Sequence, residues 1–233
     1  MSRIFASTTE AINEIERDIM EMGIKVQPHT MQNKYVKGND DYETKEVQNY
    51  SFNILNMSDK DSTLDEQNLQ WVKEEFAERI DTVGFVNPGK AWKTRGNTWQ
   101  EFLNDEGEMD YTYNERMNAL DQINLVIAEL KDNPDSRQCL IHVNFPGDCL
   151  FWQEKRIPCS VYYQLMIRRG KLDIIYNMRS SDFYSHFKND MWLADELRNH
   201  IAKEVGIKPG LFMMNVGSLH VYKNYGHKGK HVF

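Results

Sequence analysis

Two runs of alternating residues, joined by a two-residue turn, constrain the fold of this chain more than any other feature. Ser160 to Arg168 and residues 171–178 each alternate apolar and polar side chains, as β-strands with one buried face do. Between them lies Arg169-Gly170, and a pair that contains glycine suits the tight turn of a hairpin. The sequence therefore predicts a β-hairpin in the second half of the chain.

Helices are predicted on both sides of this hairpin. Ser7-Thr-Thr-Glu10 has the form of a capping box, so a helix should begin there and end near Gly23. Apolar residues at helical spacing predict two further helices, the first of them stopped by Asn133-Pro134. These apolar residues are Leu120, Ile123, Ile127 and Leu130 in one helix, and Met191, Ala194, Leu197 and Ile201 in the other.

Three more strands and one irregular region complete the prediction. Strand-forming residues occupy 44–54, 138–144 and 211–216. The polar segment 55–112 is expected to form loops and short helices around Trp71, Trp92 and Trp99. Because helices and strands are mixed and a hairpin is present, we expect the α+β class rather than an array of βαβ units. No repeat or linker is evident, so residues 1–233 should form a single domain.

The composition excludes several classes of function. The chain has 233 residues, of which 40% are hydrophobic, so a sizeable core is expected. A net charge of −7 argues against a nucleic-acid partner. Three cysteines without CxxC spacing argue against disulfides and a metal site and favour a reducing compartment. Without an apolar N-terminal core or an 18-residue apolar run, we expect a cytoplasmic protein with no membrane partner.

Residues whose side chains could take part in catalysis or binding follow one another in the second half of the chain. They are Cys159 in Arg-Ile-Pro-Cys-Ser, Arg179-Ser180, Asp182, Asp190, and His220 and Tyr222 in His-x-Tyr. Taken singly, a cysteine is more often a buried apolar thiol, and an Arg-Ser pair is an ordinary strand end. Taken together, they could provide a nucleophile, a phosphate ligand, an acid for the base and contacts to a sugar. This combination indicates covalent chemistry on a nucleotide.

A longer pattern resembles the thymidylate synthase superfamily, and within it the phage deoxycytidylate hydroxymethylases. It runs from about Tyr113 to Tyr222. The matching residues are Asn133-Pro-Asp-Ser-Arg137, Pro158-Cys159, Gln164, Asn177-Met-Arg-Ser180, Asp182, Asn189-Asp190 and Asn215-Val-Gly-Ser-Leu-His-Val-Tyr222. The resemblance implies the thymidylate synthase fold, a large mixed sheet packed against its copy in a homodimer. It also implies 5,10-methylenetetrahydrofolate as cosubstrate.

The resemblance implies a role for each matching residue. Cys159 would add to C6 of a pyrimidine, and a nearby guanidinium would favour its thiolate. Arg179 and Ser180 would bind the 5′-phosphate, and His220 and Tyr222 would contact the sugar hydroxyls. Gln164 would support the nucleotide, and Asp182 would contact the folate ring. Tyr113 would lie near the reacting C5. Arg137 would reach across the dimer to the partner's phosphate. Cys139 and Cys149 are read as structural.

Asp190 bears on the choice of base. Thymidylate synthases have an asparagine here, whose amide can match N3–H and O4 of uracil. A carboxyl group instead suits the amino group of cytosine and, when protonated, can also donate to N3. Asp190 therefore predicts a cytosine nucleotide as substrate. The adjacent Asn189 leaves an alternative, since a shift of one residue would restore the uracil pattern, and Asp190 could also serve only as a helix cap.

The chain departs from the family pattern in three places. Gln138 follows Arg137 where a second arginine is usual. Alignment on Leu69-Gln-Trp71 puts Asn68 where the family has a water-ordering glutamate, so either Glu66 takes that role or the water chemistry differs. After Tyr222, the family's C-terminal closing segment is not recognisable.

The function predicted from these residues is folate-dependent 5-hydroxymethylation of a cytidine monophosphate, with dCMP preferred. The partners would be a nucleoside monophosphate, the folate and a second copy of the chain, in a cytoplasm that could be that of a phage-infected bacterium. Two alternatives stay open. One is a dUMP-specific or methylating member of the superfamily, and the other is a non-catalytic nucleotide-binding relative.

Overall fold

A computed structural model describes residues 2–32, 34–81, 84, 86–95, 100, 102–151, 154–225, 230–231 and 233. The strands are β1 (Arg3–Ser7), β2 (Ile24–Val26), β3 (Thr30–Met31), β4 (Lys34–Tyr35), β5 (Thr44–Asn56), β6 (Leu140–His142), β7 (Ser160–Arg168), β8 (Lys171–Asp182), β9 (Lys208–Tyr222), β10 (Asn224–Tyr225) and β11 (Lys230–His231). The α-helices are α1 (Thr8–Met22), α2 (Glu66–Arg79), α3 (Ala91–Thr94), α4 (Tyr113–Asn118), α5 (Gln122–Asp132) and α6 (Lys188–Val205).

One mixed sheet organises the described residues. Its strands run in the order β1-β5-β9-β8-β7-β6, and β2 adds to β5. The β1–β5 and β8–β9 pairs are parallel, whereas β5–β9, β8–β7 and β7–β6 are antiparallel. Helix α6 connects the parallel strands β8 and β9 and packs on both, so its first turn lies near the end of β8. The α+β class with a large mixed sheet is confirmed.

The predicted hairpin is formed by β7 and β8. Arg169 and Gly170 both have positive φ angles, 54° and 68°, as the central residues of a type I′ turn require. Strand β8 continues to Asp182 instead of ending at residue 178. This extension puts Arg179, Ser180 and Asp182 on the same central strand.

Most predicted elements are found, with changed bounds. Ser7 accepts a hydrogen bond from the Glu10 amide at the start of α1, which ends at Gly23 as expected. The strand predicted at 211–216 spans Lys208–Tyr222, and the one at 138–144 is only Leu140–His142.

Two predictions for the part of the chain before the hairpin need correction. Leu120 does not belong to the face of α5, since it precedes the helix with φ 57° and is exposed. Segment 55–112 contains a 14-residue helix, α2, which is longer than the short helices expected. Helix α2 packs through Trp71 and Val72 against Trp192 of α6. Trp99 lies outside the described residues.

The core lies between the sheet and helices α1, α5 and α6. Its largest fully buried side chains include Phe52, Tyr163, Tyr176 and Phe212 from four strands. Burial of such side chains is the main source of stability for the sheet, at about 1.5–3 kcal/mol each. In the described part of the chain, no helix has the length and apolarity needed to cross a membrane. The same residues contain no cluster of three or more metal-binding side chains.

Candidate active site

A cavity of about 520 Å³ opens at the end of β8, between the sheet and helices α2 and α6. A volume of this size accommodates a small organic ligand. Its walls include most of the residues singled out in the sequence. These are Tyr113, Cys159, Arg179, Ser180, Asp182, Asp190, His220 and Tyr222. Side chains that are more than 100 residues apart in the sequence thus converge on one space.

Cys159 immediately precedes β7, next to β8. Its carbonyl accepts a hydrogen bond from the Arg179 amide at 2.9 Å, which holds the two segments together. The Ser180 hydroxyl lies 3.7 Å from its sulfur and can donate to it. The thiol is half-buried, so a ligand in the cavity can reach it. Cys139 is buried in the core and Cys149 is exposed, and neither lines the cavity among the described residues.

The Arg179 guanidinium braces the loop that precedes the cysteine. Nε donates to the Pro158 carbonyl at 3.0 Å, Nη2 donates to the Ile157 carbonyl at 2.8 Å, and Nη1 donates to the Ser180 hydroxyl at 2.9 Å. Gly217 on β9 permits this arrangement, because a Cβ there would lie 2.8 Å from the Arg179 carbonyl oxygen. The guanidinium is thus fixed on the loop that leads to Cys159 and on Ser180, whose hydroxyl lies 3.7 Å from the sulfur.

Tyr113 is the first residue of α4, and a capping box sets its position. Thr112 accepts from the Glu115 amide, and the Glu115 carboxylate accepts from the Thr112 amide. The Tyr113 hydroxyl lies 3.0 Å from the Ser160 hydroxyl, next to Cys159 in sequence. Burial raises the pKa of Tyr113 well above its usual value, and the nearby Tyr111 adds to this shift. The phenol therefore keeps its proton at neutral pH and can act as a hydrogen-bond donor.

Asp190 projects into the cavity from the first turn of α6, whereas Asn189 does not. The Ser181 hydroxyl donates to Asp190 at 3.2 Å. Burial raises the pKa of Asp190 from 3.8 to about 7, against the opposing charge of Arg79. Asn189 is buried and donates to the Asn68 side chain at 3.1 Å, and among the described residues it does not line the cavity. The geometry thus favours Asp190 over a one-residue shift.

Asp182, His220 and Tyr222 form the wall at the strand ends. In the β8–β9 register Asp182 is opposite His220, and the two rings of His220 and Tyr222 lie 5.2 Å apart. Asp182 accepts hydrogen bonds from the Tyr184 amide and the Ser185 hydroxyl, so it also caps the turn that leads into α6. Burial raises the pKa of Asp182. Burial also lowers the pKa of His220, so this imidazole is neutral at pH 7.

A comparison with protein families identifies the group to which this chain belongs. The family model described as "Thymidylate synthase" matches residues 43–231, which include all the cavity residues named above. The chain belongs to the thymidylate synthase family. The resemblance stated from the motifs is confirmed at the level of the family, and nothing in the comparisons is specific to the deoxycytidylate hydroxymethylases.

Relatives of this chain include three proteins named thymidylate synthase. The thymidylate synthase of Mycoplasma pneumoniae is 28% identical over 155 residues, which are 66% of this chain and 48% of that protein. Two from Listeria monocytogenes serotype 4b are 26% and 27% identical over 200 and 194 residues, covering 82% of this chain and 56% of each. The chain therefore spans about half the length of the curated relatives it matches.

A solved structure shares the fold. The thermostable thymidylate synthase A from Bacillus subtilis superposes with a TM-score of 0.67 at 19% identity, covering 93% of this chain and 80% of that one. The predicted thymidylate synthase fold is thus confirmed. At this identity the likeness concerns the fold only.

Two predicted site residues of this family member lie away from the cavity. Arg137 is exposed and does not line the cavity among the described residues. Its carbonyl accepts a hydrogen bond from the Gln164 side chain at 3.0 Å. Gln164 lies on β7 with its amide directed to Arg137, and it is absent from the described cavity wall, so its support of the nucleotide stays a prediction.

The structure shows which acids of α2 line the cavity. Glu66 is exposed in the first turn, and neither it nor Asn68 lines the cavity among the described residues. Glu75 and Glu78 do line it, two turns further along the same helix. The signal was present, because Trp71, Glu75 and Arg79 recur at intervals of four residues and so share one face.

Other residues of the cavity wall were not predicted from the sequence either, among them Glu46, Arg79, Arg156 and His186. Burial, together with the nearby Arg95, lowers the pKa of His186 to about 3, so His186 is neutral at physiological pH. The buried Arg156 side chain lies 4.4 Å from the ring centre of Phe102 and adds positive charge to the cavity wall. The site is thus more strongly charged than its motifs indicate.

Proposed function

We propose that this chain catalyses transfer of a one-carbon unit to C5 of a pyrimidine nucleoside 5′-monophosphate. The observation that carries the proposal is the convergence of Cys159, Arg179 and Asp190 on one cavity. A nucleophile, a cation and an acid are the groups needed to attack a pyrimidine ring, hold its phosphate and read its base edge. A purely structural role for Cys159 does not account for its position in a cavity wall that it shares with Arg179 and Asp190.

Cys159 is proposed to add to C6 of the base as its thiolate. The sulfur forms a bond to C6, and the electron pair of the C5–C6 double bond moves towards C5 and the conjugated N3–C4 group. The Ser180 hydroxyl lies 3.7 Å from the sulfur and can donate a hydrogen bond to it during this addition. C5 becomes nucleophilic as a result, and it can then accept the one-carbon unit.

Arg179 and Ser180 are proposed to hold the 5′-phosphate. Among the hydrogen bonds of the described residues, the guanidinium uses three of its five N–H groups on the loop carbonyls and Ser180. The other two are available for phosphate oxygens, and the exposed position of Arg179 permits access. One residue would thus bind phosphate and position the nucleophile.

Asp190 is proposed to read the base and to favour cytosine. Addition at C6 makes N3 of cytosine more basic, and a carboxyl group with a pKa of about 7 can supply a proton there while accepting from the amino group. In uracil N3 already carries a proton and negative charge develops on O4, which a carboxylate would oppose. Asp190 thus supports a dCMP-type substrate, and we propose 5-hydroxymethyl-dCMP as the product of the first candidate reaction.

Methylation of dUMP is the second candidate, and the comparisons favour it. The three relatives are named thymidylate synthases, and the family model carries the same description. The two candidates share the proposed roles of Cys159 and Arg179. They differ in the base and in whether water or a reductant completes the reaction.

The cavity has a wall suited to the folate cosubstrate that both candidates need. The aromatic rings of Trp71, Trp92 and Phe102 line one side and provide apolar surface for a flat pterin ring. Asp182 lies on the same cavity wall as the nucleotide residues and could accept from ring N–H groups. 5,10-Methylenetetrahydrofolate would supply the one-carbon unit, and for methylation also the reducing equivalents.

Product analysis by mass spectrometry tests the proposal. The protein is incubated with methylenetetrahydrofolate and dCMP, CMP or dUMP in separate reactions, with Cys159→Ser as the control. We expect a modified cytosine nucleotide, with hydroxymethyl and methyl products separated by mass. Conversion of dUMP alone would replace the first candidate with the second. If none of the three nucleotides is modified, the catalytic proposal is rejected.

A further inference from the structure

A hydrogen-bonded chain in the cavity wall links Glu46, Ser218 and His220. The β5–β9 register puts Glu46 on β5 opposite His220 on β9, and all three side chains line the cavity. The Ser218 hydroxyl lies 2.5 Å from a Glu46 carboxylate oxygen and 3.2 Å from Nδ1 of His220. A carboxylate is thus linked to the imidazole through one hydroxyl.

The direction of these hydrogen bonds follows from the number of protons. Ser218 has one hydroxyl proton, and two oxygens at 2.5 Å require a proton between them, so Ser218 donates to Glu46. Its oxygen can then only accept from His220, and Nδ1 must carry the proton. Gln48 donates to the other Glu46 oxygen at 3.1 Å, so the carboxylate acts as acceptor on both sides.

The opposite tautomer would leave two acceptors in contact. If Nδ1 of His220 lacked a proton, Ser218 would have to donate to it, and the Glu46 and Ser218 oxygens would face each other without a proton. Such an unpaired contact between two oxygens is unfavourable in a half-buried site. A doubly protonated ring is disfavoured because burial lowers the pKa of His220. The neutral ring therefore has a bare Nε2.

We propose that Glu46 is a positioning residue which, through Ser218, fixes His220 in its Nδ1–H tautomer, so that Nε2 accepts a hydrogen bond from the 3′-hydroxyl of the nucleotide. The inference rests on the proposed function, since it takes the ligand to be a nucleoside monophosphate. It adds a requirement of its own, because the sugar must present a hydroxyl donor. Neither Glu46 nor Ser218 needs to touch the ligand.

Nitrogen NMR tests the tautomer without any ligand. In protein labelled with ¹⁵N-histidine, the ring nitrogen that lacks a proton resonates far from the protonated one, and His220→Asn identifies the signals. We expect Nδ1–H in the parent protein. In Glu46→Gln, the amide can donate to Ser218 and reverse the chain, so the Nε2–H form should appear. An Nε2–H ring in the parent protein would overturn the inference.

Calorimetric binding tests the ligand contact without any turnover. The probes are dCMP and dUMP, each compared with its 2′,3′-dideoxy counterpart, which lacks the hydroxyl. In Glu46→Gln and Ser218→Ala we expect about tenfold weaker binding of the deoxynucleotide, equivalent to about 1.4 kcal/mol, and unchanged binding of the dideoxynucleotide. Ser218→Thr keeps the hydroxyl and should restore most of the affinity. Equal losses for both nucleotides would overturn the inference.

The two readouts separate this inference from the proposed reaction. If the nucleotides bind with the expected pattern but no product forms, the chemistry fails and the positioning role of Glu46 stands. If product forms but Glu46→Gln and Ser218→Ala weaken binding of the dideoxynucleotide as much as that of the deoxynucleotide, the positioning role is rejected and the proposed reaction stands. If no nucleotide binds, the proposed function fails and the hydroxyl contact is rejected with it.

Discussion

The guanidinium carbon of Arg79 lies 3.8 Å from the centre of the Tyr113 ring. Arg79 is buried, and its Nε donates to Glu75 one turn earlier on α2 at 2.8 Å. Contact with a ring face stabilises a guanidinium, and the Glu75 carboxylate neutralises it. The contact between Arg79 on α2 and Tyr113 on α4 therefore holds the Tyr113 ring in the cavity wall, and it forms only when the two helices pack together.

Replacement of Arg79 by glutamine should destabilise the fold. The Glu75 carboxylate would lose its partner in a poorly hydrated site, so we expect the free energy of unfolding to fall by about 3 kcal/mol. Urea denaturation measures this change. The matched control is Arg17→Gln, which removes an exposed arginine from its pair with Glu14 and should cost less than about 1 kcal/mol. Equal losses in both variants would show that the buried pair contributes nothing special.

Cys159→Ser should nearly abolish turnover and leave nucleotide binding intact. A serine hydroxyl is a far poorer nucleophile than a thiolate at neutral pH, whereas the change in shape is small. Steady-state rates and calorimetric binding of the nucleotide measure the two effects separately. The matched control is Cys149→Ser, since Cys149 is exposed and away from the cavity. Cys139 should likewise be dispensable for chemistry. A Cys159→Ser variant of near-normal activity would exclude the covalent mechanism.

Asp190→Asn should shift the preference from dCMP towards dUMP. The asparagine amide cannot supply a proton to N3 of cytosine, but it can donate to O4 of uracil. A buried polar mismatch costs about 1–3 kcal/mol, so kcat/KM for dCMP should fall about ten- to a hundredfold relative to that for dUMP. Both nucleotides are compared in both proteins. If Asp190 only stabilises the start of α6, stability will change while the substrate ratio stays constant.

Asp190 should also make stability depend on pH. Its pKa is about 7 in the folded protein and about 4 in the unfolded chain, so between these values the folded state binds more protons. The cost of burying this carboxyl is therefore absent below pH 4, grows up to pH 7 and is complete above it. Relative to the parent, Asp190→Asn should gain stability with rising pH, at most about 1.4 kcal/mol per pH unit. A difference that is constant from pH 4 to 8 would contradict the assigned environment.

Arg137 is expected to act in the site of a second copy of the chain. It is exposed and absent from the described wall of its own cavity, as an arginine that crosses a dimer interface would be. Mixing inactive Cys159→Ser chains with inactive Arg137→Ala chains should restore activity, because one of the two mixed sites has neither defect. Activity of the mixture and its association state are measured together. Mixed dimers without activity would place Arg137 outside the partner's site.

The sequence alone was sufficient for the class, the hairpin and the order of most elements. Alternation between Ser160 and Arg168, the Arg169-Gly170 turn and the cap at Ser7 are short-range signals, and their physical causes lie within a few residues. The motif from Asn177 to Ser180 likewise identified the phosphate candidates, because neighbouring residues on one strand keep their spacing in any fold.

Tertiary structure decided which side chains face the cavity. The orientation of Asp190 rather than Asn189, and of Glu75 rather than Glu66, depends on how α2 and α6 rotate as they pack together. Glu46 meets His220 only because β5 pairs with β9 in one register, 174 positions apart in the chain. Such contacts arise when apolar faces of elements far apart in the sequence pack together, and local periodicity does not predict which faces will meet. The sequence therefore determined the residues available for chemistry, and packing determined which of them meet.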